Sequence, residues 1–406
     1  MPRILYIQYT NPAGYPPLQH SSRLLARAGW DVLFLGTAAT GTASLEMPPH
    51  PRVTVRRRSA PPAGLRQKLH FVSFTRWCLL SALRFRPCWL YASDPLSCPI
   101  ALLLSHLPGI KVIYHEHDSP AAAADRFAFR HAVLPARRRL AHRAAACVLP
   151  NAARALQFQN ETATHRPIFA VWNCPSRDEA YTGPSDPAGQ ESHAEPCDDP
   201  CPPALRLAQP ILHYHGNISP DLVPLSIIAA LALVPRLRLR VIGYTTAGHH
   251  AYPALLERTA RAAGVWDRLD LTGPLPRDKT LAAARSATIG LALTPLAAAG
   301  RNPNFASMAG ASNKAFEYLA CGLPLLVSNL ADWRELFVAR GYAVAVPPDD
   351  PARIAGALRW LLDNPDHARR LGQRGRQIIR AEWNYETQFR PVLDLLGAHS
   401  ATPALL

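Results

Sequence analysis

Short apolar runs alternate with helical segments along most of the chain, and this alternation limits the fold more than any other feature. "RILYIQYT" reads as a buried strand that ends in the loop "NPAGYPPLQ". "QHSSRLLARAGWDVLFLG" then reads as helix, glycine turn and strand, with Leu24, Leu25 and Ala28 on one helix face and Gly29 at its end. The pattern recurs in "RVTVRR", the basic helix "LRQKLHFVSFTRWCLLSALRFRP", "CWLYAS", "PLSCPIALLLSHL", "IKVIYHEHD", a helix over 127–145 and "ACVLPN". Strands separated by helices pair in parallel, and a parallel sheet needs helices on both faces. From Ser176 to Gln209 the rhythm breaks into a Pro-, Gly- and acid-rich stretch that reads as a linker or insertion. It then resumes with "ILHYHG", "LRLRVIGY", "LDLTG", "IGLALTP" and "LPLLVSN", each followed or preceded by a helix.

The expectation is therefore an α/β protein of two doubly wound, Rossmann-like domains facing a central cleft, with ligand at the carboxyl ends of the strands. Residues 1–175 would form the first domain and 176–209 the linker. Residues 210–380 would form the second domain, with a 381–406 helix crossing back to the first. A length of 406 residues and 48% apolar content suit two cores. Neither a GxGxxG strand–helix turn nor a Walker A loop occurs, which weighs against hydride transfer and P-loop chemistry.

No run of about 18 apolar residues suggests a membrane span. "MPRILYIQYT" reads as a strand rather than a signal peptide, so a cytoplasmic location is expected. The eight cysteines are scattered, with Cys197 and Cys201 the nearest pair, and read as reduced thiols. Residues 1–170 hold 21 Lys/Arg against 7 Asp/Glu, which places +14 of the +15 net charge in the first half. That excess suits an anionic partner such as membrane lipid, an acidic glycan or nucleic acid, or is simply a solvated arginine-rich face. Nucleic acid has the least support, because the arginines lack interleaved aromatics on a recognisable motif.

"SNKAFEYLACGLPLLVSN" (312–329), followed by "WRELF" and "VAVPPDDPARIAGALRWLLDNP", resembles the C-terminal half of retaining glycosyltransferases of the two-Rossmann GT-B fold, family 4. Weaker likeness extends over nearly the whole chain, through "YHEHD", "YHGNIS", "VIGY" and "LTGPL". The resemblance implies an enzyme of the hexosyltransferase type. It would move a sugar, with retention, from a UDP- or GDP-sugar to a lipid-linked or polysaccharide acceptor, with no metal or other cofactor. A sugar-nucleotide 2-epimerase and a degenerate, non-catalytic partner of glycan assembly are the alternatives. The basic N-domain and the helix Leu65–Arg86 would touch the anionic inner face of the membrane.

The resemblance also implies site residues. Glu317 would hold the ribose hydroxyls, and Ser312, Asn313 and Lys314 would receive the diphosphate at a helix N-terminus. Gly216 would lie under the diphosphate, Gly243 and Leu275 would serve the base, and Gly14 would serve the phosphate and acceptor. Arg301 could add a phosphate contact. His117, with His115 as second choice, would reach the transferred sugar; the i, i+2 histidines would also suit a metal, although no third ligand has clear spacing. Read as an ordinary surface helix, Lys314 and Glu317 would be an i, i+3 ion pair worth only ~0.3 kcal/mol. Three departures stand out. Ala309 replaces a glutamate common eight positions before Glu317, and Asn217 and Leu222 replace two basic residues that usually follow the glycine.

Overall fold

The computed structural model describes residues 1–39, 41–60, 64–120, 129–180, 209–246 and 248–400. Residues 181–208 of the Pro- and acid-rich segment, including Cys197 and Cys201, lie outside the described residues, as does the Arg301 side chain. The six described cysteines are free thiols.

Two parallel sheets form. The first contains β1 (Arg3–Gln8), β2 (Asp31–Ala38), β3 (Val53–Ser59), β4 (Trp89–Ser93), β5 (Lys111–His115), β6 (Ala146–Leu149) and β7 (Ile168–Ala170), in the order 3-2-1-4-5-6-7. The second contains β8 (Ile211–Asn217), β9 (Arg238–Tyr244), β10 (Leu269–Thr272), β11 (Ile289–Ala292), β12 (Leu325–Ser328) and β13 (Ala343–Val346), in the order 10-9-8-11-12-13. All strand pairs within the two sheets are parallel. In each sheet the first strand lies where the winding direction reverses, so the loop leaving it opens onto a crevice.

Both faces of each sheet are covered, which explains strands apolar at consecutive positions. In β1, Leu5 and Ile7 join one core with Leu33 and Phe74, while Ile4 and Tyr6 join the opposite core with Phe34 and Tyr91. That second core also takes Tyr385, Phe389, Val392 and Leu396, so the C-terminal helices pack on the N-terminal domain. The helix expected around 127–145 is Arg130–Arg143. The basic helix runs from Leu65 to Phe85. It ends before Pro87, where the right-handed helical conformation is disfavoured, and Arg86 takes the left-handed region (φ 52°).

Candidate functional site

A cleft of about 410 Å³ opens between the domains, at the carboxyl ends of both sheets. The loop after β1 and the His117 segment after β5 supply its N-terminal wall. The ends of β8 and β9, the Pro274–Arg277 loop and the helix Asn313–Ala320 supply the other.

On the N-terminal side the loop at Gly14 is fixed by Asn11, whose Oδ1 accepts from Ala13 N (3.1 Å) and whose Nδ2 donates to Leu45 O (3.0 Å). His117 is positioned by its own backbone. Its N–H donates to Asp94 Oδ1 (3.0 Å), and its carbonyl accepts from Arg154 Nη1 (2.6 Å). Asp94 sits at φ 64° and accepts from Gln8 Nε2 (3.1 Å). Burial, with the nearby Asp118 charge, raises its carboxyl to about 7. The His117 ring is buried against Tyr15 (5.3 Å between centroids), and its Nε2 has no hydrogen-bond partner. Burial lowers its pKa to about 4, so it is a neutral imidazole at physiological pH.

His115 does not reach the cleft. Its ring lies 3.9 Å behind that of His117, and its Nδ1 bonds the Tyr91 hydroxyl at 2.8 Å. The two histidines therefore share a face, but only His117 can meet a ligand there. Among the described residues no group of three or more His, Cys, Asp or Glu side chains could hold a metal ion.

On the C-terminal side Glu317 is buried and lines the cleft, yet its partners come from other elements. Its Oε2 lies 2.6 Å from His215 Nε2, and its Oε1 accepts from Arg277 Nη1 at 2.5 Å. The guanidinium and imidazole hold the carboxyl far below the usual carboxylate range, against the opposing effect of burial. A carboxylate only accepts, so His215 Nε2 carries a proton, and its Nδ1 lies 3.1 Å from His213 Nε2. The His215 N–H donates to Tyr318 Oη (2.9 Å). The i, i+3 ion pair of Lys314 with Glu317 gives way to these partners.

Lys314 instead lies along Gly216, with its Nζ 5.5 Å above the Tyr214 ring. Burial lowers its pKa to about 8. Gly216 sits at φ 123°, a conformation that disfavours any side chain. Gly243 is constrained by packing, since a Cβ there would stand 1.8 Å from Gly216 O. Ser312 N–H already donates to Met308 O (3.1 Å), so it is not an open anion donor. The amides of Asn313 and Lys314 open the helix and have no intrahelical acceptor. The buried Ser312 Oγ and Asn313 Oδ1 have no partner.

Asn217 and Leu222, at the two positions where the resemblance places basic residues, both line the cleft, so the missing charges are missing at the site itself. Of the other cleft cations, Arg154 pairs with Asp118 and Arg277 with Glu179 and Glu317. Ala309 does not line the cleft. It packs toward the core, its N–H donates to Asp332 Oδ2 (2.7 Å), and its carbonyl accepts from Asn151 Nδ2 (2.6 Å). Leu275 does line the cleft. Sequence reasoning missed His215, Arg277 and Asp94. The i, i+2 histidines of "ILHYHG" were a legible signal; nothing local marks Arg277 or Asp94.

Two facing parallel-sheet domains, with a buried acid, a lysine and a helix N-terminus at the C-terminal switch point, define a GT-B type architecture. A family model described as glycosyl transferase-like matches residues 225–394, and one described as a glycosyl transferase 4-like domain matches 18–171. The two models together match most of the chain, which belongs to the group 1 glycosyltransferases of GT-B fold. Sucrose-phosphate synthase from Thermosynechococcus elongatus superposes with a TM-score of 0.70 at 16% identity, over 99% of this chain and 100% of that one. HepE from Anabaena, solved with UDP and glucose, gives 0.71 at 14%, over 98% and 100%. These likenesses show the fold. A 73-residue stretch is 33% identical to glycogen synthase of Mycobacterium tuberculosis, and this match spans 18% of each chain.

Proposed function

We propose that the protein transfers a sugar from a UDP-sugar, with retention, to a lipid-linked or polysaccharide acceptor. The observation that carries this reading is the convergence of Glu317, Lys314, Gly216 and His117 on one cleft at both switch points. Glu317 has one lone pair on each oxygen committed to protein and the others open to a ribose diol. Lys314 and the amides of Asn313 and Lys314 receive the diphosphate and stabilise the negative charge that develops as it leaves. His117, which lines the same cleft, is the residue that would meet the sugar. UDP is favoured over GDP as the base because a protein of this fold has been solved with UDP and glucose.

The acceptor side points to a membrane. Leu65, Leu69, Val72, Leu80 and Leu83 are 44–72% exposed and fall on one stripe of the helix Leu65–Phe85. Arg66, Lys68, Arg76, Arg84 and Arg86 are exposed beside or within it, and the helix carries no acid. Such a face suits the surface of an anionic leaflet, with the enzyme peripheral on its cytoplasmic side. No described helix is long and apolar enough to cross a membrane.

Incubation with UDP- and GDP-sugars, read by mass spectrometry and calorimetry, tests the donor. Release of UDP supports the reading, and failure of every nucleotide diphosphate to bind refutes it. Sedimentation with vesicles tests the surface: binding to anionic but not neutral vesicles, weakened by Arg84→Glu with Arg86→Glu, is expected. Equal binding to both vesicle types removes the membrane assignment.

A further inference from the structure

Glu317 is held by a chain of charges that begins in the other domain. Arg277 donates from Nη1 to Glu317 and, through Nε and Nη2, to both oxygens of Glu179 (2.6 and 2.8 Å). Glu179 belongs to the crossover between the domains, in the short turn Arg177–Glu179. Its Oε2 also accepts from Ser176 N (3.0 Å) and lies 3.4 Å from Nε2 of His20, on the first helix of the N-terminal domain. Ser176 Oγ and Arg177 N in turn donate to Glu386, which precedes the C-terminal helix packed on that domain (2.6 and 2.9 Å). One guanidinium thus bridges the crossover and the donor cleft. It also stands between that cleft and a second recess of about 350 Å³ that His20 and Glu179 line.

We propose that Arg277 and Glu179 are positioning residues for the ribose end of the donor site, so that Glu317 is correctly aimed only when the domains are docked as seen. The proposal rests on the donor reading above. A buried charged triad is a poor device for stability alone, because well-packed apolar side chains of the same volume serve as well or better. Its geometry is suited to aim. The planar fork of Arg277 fixes two carboxylates at once, and Glu317 has a second clamp in His215, so its open lone pairs have one direction.

Calorimetry of the full chain with UDP and with 2′-deoxy-UDP separates aim from stability. Wild type is expected to prefer UDP by about tenfold or more, as one hydrogen bond to a charged group implies. In Arg277→Gln and Glu179→Gln this preference should fall below about threefold, while Arg277→Lys recovers part of it. If Arg277→Gln does not fold, as judged by circular dichroism, Glu179→Gln retains the guanidinium and carries the test. Variants that lose melting temperature but keep the wild-type preference overturn the proposal and leave the donor reading intact. A wild type that binds neither nucleotide removes the donor reading and this proposal with it.

Discussion

On the proposed reading, replacing Lys314 with alanine removes the charge that receives the diphosphate. Among the described residues that line the cleft, Arg154 and Arg277 are engaged by carboxylates, whereas Lys314 lies along Gly216 with no ion pair. Asn217 and Leu222 supply no charge. A charge-assisted hydrogen bond contributes about 1.5–3 kcal/mol, so Lys314→Ala should weaken UDP binding about 10- to 150-fold. Uridine, which lacks the phosphates, should bind both proteins alike. The pH dependence carries a sign. The free lysine titrates near 8, and a bound diphosphate would raise that value. Wild-type affinity for UDP should therefore be flat below about pH 8 and fall as pH rises beyond it, with up to one proton taken up on binding only in that higher range. Calorimetry in buffers of different ionisation enthalpy measures that proton. Equal losses for UDP and uridine, or a UDP affinity that rises between pH 8 and 9, would refute the assignment.

Three further outcomes are expected. His117→Ala should lower kcat by roughly 10²-fold or more and leave UDP affinity within about threefold, because the proposed reading assigns the imidazole to the sugar rather than the nucleotide; steady-state kinetics beside calorimetry would expose the opposite split. Gly243→Ala places a Cβ 1.8 Å from Gly216 O and should cost about 1–3 kcal/mol in denaturant unfolding, with loss of UDP binding. Glu179 titrates near 2 in the folded chain, well below a free glutamate, because Arg277 and His20 outweigh its burial. Its stabilising effect is complete above about pH 4.5 and is lost as pH falls toward 2, so Glu179→Gln should flatten the acid limb of the stability curve.

Much of the architecture could be read from the chain itself. Apolar runs of strand length, each joined by a helix with a glycine or proline stop, leave a parallel sheet covered on both faces as the economical solution. The site was legible only where chemistry is local. Ser312 to Glu317 lie on one helix start, so spacing alone brings a lysine, an acid and open amides together. Gly216 was anticipated only through the family resemblance, and its left-handed φ, which excludes side chains, came from the structure. The spacing of His115 and His117 could not say which ring reaches the cleft; the end of β5 and the Asp94 carboxylate decided that.

Tertiary structure alone decided the partners of Glu317. Arg277 lies 40 residues away in sequence and Glu179 lies in the crossover, so no periodicity couples them. It also decided that Ala309 faces the core, tied by Asp332 and Asn151, so an acid eight residues before Glu317 has no counterpart in the cleft. Local sequence determines which groups a helix or strand end offers. Only the docking of two domains determines which carboxylate meets which guanidinium, since that contact depends on distances between segments that the chain visits far apart.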